Sequence, residues 1–199
     1  MKKILLLASM LFALSMAAYA QTEFPKFELA GTFTLLVADI DILDNETMAG
    51  YGISGQYNFS NYFGIVGEWT ATHGASGPYT WHQDGVDYHI PELDTRVQTM
   101  LAGPRFSYRT NRVTVFGHWL VGAATNKFDD DIGEYNYESM TNWQFAMAIG
   151  GGLDVNVGKR FALRVGQFDW LPVHSNLDSV NNTNFFNHIR YQVGGVIKF

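Results

Sequence analysis

The chain has 199 residues, no cysteine, 20 glycines, 15% aromatic and only 16% charged residues, and a formal net charge of −6. Lack of cysteine excludes thiol catalysis, disulfides, iron–sulfur clusters and cysteine-based zinc sites. The negative balance argues against nucleic acid as a partner.

Residues 1–20 read as a secretory signal peptide. Lys2 and Lys3 open it, an apolar stretch follows to about Ala18, and Ala18-Tyr19-Ala20 gives a small-x-small cleavage site before Gln21. The alternative, a transmembrane anchor, needs a longer apolar run. No cysteine follows the cleavage point, so a lipoprotein anchor is excluded. Removal of the leader leaves residues 21–199 as one domain with 11 basic and 19 acidic residues, a net charge of −8. No later segment reaches the roughly 18 apolar residues of a membrane helix, and no linker or second domain is visible.

Eight segments then alternate with the period of two that marks a strand. In residues 27–37, Phe27, Leu29, Phe33, Leu35 and Val37 share a face. In 48–59, Tyr51, Ile53, Tyr57 and Phe59 oppose Gly52, Ser54, Gln56 and Asn58. In 62–73, Phe63, Ile65 and Trp69 oppose Glu68 and Thr70. In 95–108, Met100, Ala102, Pro104, Phe106 and Tyr108 oppose Arg105 and Ser107. Residues 112–124 set Val113, Val115, Trp119 and Val121 against Phe116, His118 and Leu120, which leaves the facing of this strand open. In 139–157 the odd positions from Trp143 to Val157 are apolar, and Gln144, Ala146, Ala148, Asp154 and Asn156 lie opposite. In 160–171, Phe161, Leu163 and Val165 oppose Arg164, but the alternation fails near 167–170, a mark of a bulge or of the membrane boundary. The last strand, 189–199, keeps Ile189, Tyr191, Val193, Gly195, Ile197 and Phe199 on one face.

The connections alternate between tight turns (60–61, 109–111, 158–159) and long polar loops (38–47, 74–94, 126–138, 172–184). That describes an all-β, eight-stranded antiparallel up-and-down transmembrane β-barrel with its short turns in the periplasm. The sign of the faces follows from size and charge. A soluble barrel needs a charged outer face. Here the less apolar face carries Gly, Ala, Ser, Thr, Asn and Gln with about one charge per strand. Eight strands leave an interior that side chains just fill, so the bulky residues belong on the lipid side. Aromatics gather at strand ends, with Tyr57, Phe59, Tyr62, Phe106, Tyr108 and Phe161 beside the short turns and Trp69, Trp143 and Trp170 toward the long loops. Two girdles fit two membrane interfaces.

Leu101-Ala102-Gly103-Pro104-Arg105-Phe106, the following strand 113–122, Gly150-Gly151-Gly152-Leu153-Asp154-Val155, Phe161 to Trp170 and the terminal strand carry a resemblance. In their order and spacing the chain resembles the bacterial outer-membrane β-barrel domain family, the small OmpA/OmpX-type eight-stranded barrels, over about the whole mature chain. The resemblance implies the fold, the cell outer membrane as location, and a role for Phe199 in the signal read by the outer-membrane assembly machinery. The family shares no single activity.

Three constellations are candidates for function. Glu28, Glu68, Arg105, Asp154, Arg164 and Arg190, with Lys198, fall on the inward faces and predict a lumenal ion-pair network, because an unpaired interior charge is costly. Glu68 and Arg105, on consecutive strands, are expected to join one cluster with Arg164. The long loops hold 14 of the 19 acidic residues, and Asp129, Asp130 and Asp131 form a weak candidate for a divalent cation through oxygen ligands. His174, Ser175 and Asp178 are the components of a lipid A deacylase-like hydrolase, but adjacent residues of an extended chain point to opposite sides. No cofactor and no catalytic set is predicted. The expected role is non-enzymatic, in membrane integrity or in surface interaction through the acidic loops. The alternatives are a narrow porin-like channel for ions or small solutes and a lipid A-modifying enzyme. Expected partners are outer-membrane lipid, lipopolysaccharide, the assembly machinery and an unspecified extracellular ligand, with Tyr79, Trp81, Tyr88 and Ile90 of the second long loop as contact residues.

Overall fold

The structure is a computed structural model that describes residues 24–40, 43–76, 79–83, 86–90, 93–129, 143–174 and 185–199. The predicted signal peptide lies outside the described residues.

Every described element is a strand: β1 (Phe27–Ile40), β2 (Leu43–Asn58), β3 (Phe63–Ser76), β4 (Tyr79–Gln83), β5 (Val86–Ile90), β6 (Leu93–Arg109), β7 (Val113–Asp129), β8 (Trp143–Asn156), β9 (Phe161–His174) and β10 (Phe185–Lys198). Eight of them close into one antiparallel barrel in the order β1-β10-β9-β8-β7-β6-β3-β2. The seam pairs Glu28 with Lys198 and runs to Val37 opposite Ile189. Beyond it, Phe199 N donates to the Phe27 carbonyl at 2.8 Å, and the Phe199 carbonyl accepts from Lys26 N at 2.8 Å.

The barrel strands are 14 to 17 residues long, whereas a tilted transmembrane strand needs about 9–11. The surplus lies on the long-loop side, where β3 and β6 stay paired to Ser76 and Leu93 and β6 and β7 to Asp94 and Asp129. The second long connection, expected to be a loop, contains a separate hairpin in which β4 and β5 pair from Tyr79↔Ile90 to Gln83↔Val86.

The faces follow the expected sign. Phe33, Tyr51, Ile53, Met100, Phe106, Tyr108, Trp143, Phe161 and Ile189 are exposed on the outer wall, while Thr34, Gln56, Glu68, Arg105, Ser107, Asp154 and Arg164 are buried within. β7 takes the orientation that its sequence left open, with Trp119 outside and Phe116, His118 and Leu120 inside. Aromatics also occupy the middle of the outer wall, as the T-shaped pair Tyr51–Trp69 shows.

The break in β9 lies just before the stretch where the alternation fails. Gln192 pairs with Gln167 but Gly194 pairs with Arg164, so Val165 and Gly166 together oppose Val193. On the other side Leu153 pairs with Gly166 and Asp154 with Arg164. This is a β-bulge: one extra residue on one strand reverses the facing of everything beyond it. Below it Ala162 and Arg164 face inward; above it Gln167, Asp169, Leu171 and Val173 do.

Candidate functional site: the lumen

The barrel interior is filled by three linked layers of side chains. At the short-turn end, Glu28 Oε1 accepts from Arg109 Nη2 at 2.7 Å and from Asn58 Nδ2 at 2.9 Å. Arg109 also donates to Asn58 Oδ1 at 2.9 Å and to the Asn61 carbonyl. Gln56 Nε2 donates to Asn58 Oδ1 at 2.6 Å, and Lys198 Nζ donates to Asn156 Oδ1 at 2.6 Å.

In the middle layer Arg164 grips Asp154 with two parallel bonds, Nε to Oδ1 at 2.9 Å and Nη2 to Oδ2 at 3.3 Å. The Phe116 ring lies between two guanidinium groups, with Arg105 4.3 Å and Arg164 4.7 Å from its centroid. A desolvated cation on an aromatic face gains about 2 kcal/mol. Arg105 Nη1 donates to Gln56 Oε1 at 3.0 Å, which joins this layer to the one below.

The third layer centres on Arg190. Its Nη2 lies 2.5 Å from Glu68 Oε1 and 2.7 Å from Asp169 Oδ2, and its Nε reaches the same Asp169 oxygen at 3.0 Å. Gln167 connects the two upper layers. Its Oε1 accepts from Arg164 Nη1 at 2.9 Å and its Nε2 donates to Asp169 Oδ2 at 2.9 Å. An arginine only donates and a carboxylate only accepts, so this amide has one orientation. The same logic fixes His118. Nδ1 faces Arg105 Nη2 at 3.4 Å and must accept, so Nε2 carries the proton and donates to Asp169 Oδ1 at 2.8 Å.

Glycine makes room for this packing on β8. A Cβ on Gly150 would sit 2.1 Å from Asp169 Oδ1, and one on Gly152 would sit 2.6 Å from the tip of the Phe116 ring. The Gly150–Gly152 run visible in the sequence is the wall against which the network is seated.

Toward the long loops charged side chains give way to apolar ones interleaved with buried Thr72, Thr95, Thr99, Thr125 and His188. On β6, β7, β8 and β9 the charged or histidine residue lies nearer the short turns. Leu101 and Val97, Leu120 and Ala124, Ala148 and Ala146, and Leu171 and Val173 follow it. With Leu36 and Met48 they form one buried cluster that caps the charged layers.

The six predicted charges and Lys198 are all buried in the lumen. Their pairing differs from the expected one. Glu68 bonds Arg190, Arg164 bonds Asp154, and Arg105 bonds Gln56 and His118 rather than a carboxylate. Glu68 reaches Arg164 only through Gln167, whose Nε2 is 3.4 Å from Glu68 Oε2. Asp169, Gln167, His118 and Arg109 are members that the sequence reading omitted. Asp169 and Gln167 were hidden by the bulge; the signal for them was the polar pair inside an otherwise apolar run. Asp130 and Asp131 lie outside the described residues, and of Asp129 only the backbone is described, at the end of β7. Ser175 and Asp178 also lie outside them; His174 packs edge-on against Phe185 at 5.3 Å. Among the described residues no helix is long and apolar enough to cross a membrane, which says nothing of a barrel.

A closed barrel with a lipid-facing apolar wall and a charged, filled lumen defines an outer-membrane β-barrel. The outer membrane protein beta-barrel domain family matches residues 5–192, and the chain belongs to that family; its location is the outer membrane. Among solved structures it is similar to Neisserial surface protein A, with 11% identity over 87% of this chain and 97% of that one and a TM-score of 0.62. It is also similar to the outer membrane protein OprG from Pseudomonas aeruginosa, with 15% identity over 88% and 96% of the two chains and a TM-score of 0.53. At these identities the likeness is one of fold. No curated protein matches the chain by sequence.

Proposed function

We propose that this barrel is a non-enzymatic outer-membrane protein with a sealed lumen that acts in membrane integrity or through its long, acidic loops at the cell surface. The observation that carries the reading is the hold of Arg190 between Glu68 and Asp169 beneath the apolar cap. An ion entering from the short-turn side meets paired charges and then a closely packed buried cluster of Leu, Met, Val and Ala interleaved with Thr72, Thr95, Thr125 and His188, and a filled interior of this kind leaves no open path. Chemistry, by contrast, would need an accessible nucleophile, and the lumenal His118 is enclosed by Arg105 and Asp169.

The test is planar-bilayer conductance of the refolded protein. Discrete conductance steps would overturn the sealed-lumen reading. Incubation with lipopolysaccharide should release no fatty acid; release would favour the enzyme. Orientation is tested in the same cells: a tag near Gly85 should be reachable on intact bacteria and a tag at Asn111 should not. On this reading the outer wall meets outer-membrane lipid and lipopolysaccharide, and the seam strand carrying Phe199 engages the assembly machinery.

A further inference from the structure

We propose that the short-turn rim and the lipid-facing groove beside it form a binding site for an anionic phospholipid of the inner leaflet. The inference goes beyond the surface role proposed above and takes from it only that the short turns face the periplasm.

The headgroup part is a cluster of free cations. Arg112, Lys159 and Arg160 are exposed on the β6–β7 and β8–β9 turns. None of them has a carboxylate partner among the described residues. The turns are held side by side. Asn156 N donates to the Arg112 carbonyl at 2.7 Å, and Asn156 Nδ2 donates to the Thr110 carbonyl at 3.1 Å. Lys198 N bonds the Arg160 carbonyl at 2.8 Å, which ties the second turn to the end of β10. The tight turns at 59–62, 110–112 and 157–160 contain no acidic residue, whereas the long loops at the opposite end are strongly acidic. An anion is therefore favoured at one end of the barrel only.

The acyl part adjoins it. Val157 and Phe161, on either side of Lys159 and Arg160, border an apolar surface depression that runs over Leu163, Ile197 and Gly195 to Gly31 and continues past Gly55 and Gly67 to Met100 and Val121. Gly31 and Gly195 are direct cross-strand partners, and a Cβ on either would meet nothing within 4 Å. The wall is thus recessed next to the cations, at the depth where acyl chains begin. Phosphate oxygens with attached acyl chains satisfy both parts. Soluble phosphate satisfies only the first, and a zwitterionic lipid brings its own cation to a cationic rim.

Native mass spectrometry of the detergent-solubilised protein with an equimolar mixture of phosphatidylglycerol, phosphatidylethanolamine and phosphatidylcholine tests this. Juxtaposed Lys and Arg attract anionic lipid with about a fivefold effect each, so the three together should make the wild type retain phosphatidylglycerol about a hundredfold over the zwitterionic lipids. The triple variant Arg112→Gln, Lys159→Gln, Arg160→Gln should lose that preference and still bind lipid. Gly195→Leu, or Gly31→Leu in its place if that variant does not fold, should lower retention of all three lipids. Heat-modifiable gel mobility confirms the folded barrel in each case. No preference in the wild type, or a preference that survives in the triple variant, overturns the headgroup site. Unchanged retention in the leucine variant overturns the groove.

Discussion

Arg190 and Asp169 are direct cross-strand partners on β10 and β9, and the guanidinium meets one carboxylate oxygen from Nε at 3.0 Å and from Nη2 at 2.7 Å. The pair exists because β9 carries an extra residue at Val165–Gly166. With unbroken alternation the face that holds Phe161, Leu163 and Val165 would also hold Asp169, and its carboxylate would stand in lipid. A charge facing hydrocarbon costs about 2–4 kcal/mol at the midplane for Arg or Lys and less for Asp. The bulge instead delivers it to Arg190, His118 and Gln167.

Charge coupling in the lumen should follow the observed pairs. Arg190→Ala leaves Glu68 and Asp169 buried without their cation, and its expected cost is about 3–5 kcal/mol. Glu68→Ala should cost less, because Asp169 still holds the guanidinium. A double-mutant cycle on Glu68 and Arg190 should give a coupling of about 1–3 kcal/mol, and the same cycle on Glu68 and Arg105 a value near zero. Urea unfolding in lipid vesicles measures both. A larger coupling for Glu68 with Arg105 would show that the pairing described here is wrong.

Deleting Val165 removes the extra residue and restores strict alternation in β9. Gln167 and Asp169 would still face the lumen and Phe168 and Trp170 the lipid, because the strand loses one residue and the bulge together, so the fraction migrating as folded barrel on an unheated gel should stay close to that of the wild type. Loss of the folded fraction in the deletion variant would mean that Val165 does more than correct the facing of the upper half of β9.

Phe116 fills the space between Arg105 and Arg164 against the glycine wall. Phe116→Ala should destabilise the barrel by about 3–5 kcal/mol through the lost ring volume. Phe116→Leu restores most of the volume but not the aromatic face and should still cost about 1–2 kcal/mol. Equal stability of Phe116→Leu and wild type would show that the two cation–aromatic contacts contribute nothing.

Phe199 bonds across the seam through both its N–H and its carbonyl, to Phe27 and Lys26. Deleting it removes those bonds from the junction that closes the barrel. Folded protein in the outer membrane should drop and periplasmic protein should rise, as measured by fractionation. An unchanged distribution would leave Phe199 without a role in assembly.

Local pattern along the chain was enough to assign the class. Period-two alternation, few charges on the non-lipid face, turns of unequal length and aromatics at strand ends are local properties. Eight strands and a narrow lumen follow from them, because the lipid must see an apolar wall and the interior has room only for side chains. The same pattern put Glu28, Glu68, Arg105, Asp154, Arg164 and Arg190 inside, since facing within one strand is a matter of parity. Which charge meets which was decided only by the tertiary structure. Barrel tilt and strand stagger bring β10 Arg190 to β3 Glu68 across the lumen, a distance that consecutive-strand reasoning cannot see. Parity also carries no information across a bulge, so Asp169 and Gln167 became legible only once the register around Val165 was known. The apolar cap and the facing of Phe116 and His118 emerged for a related reason. β7 is apolar on both faces in sequence, and only the neighbours that each face meets, lipid on one side and Arg105, Arg164 and Asp169 on the other, distinguish them.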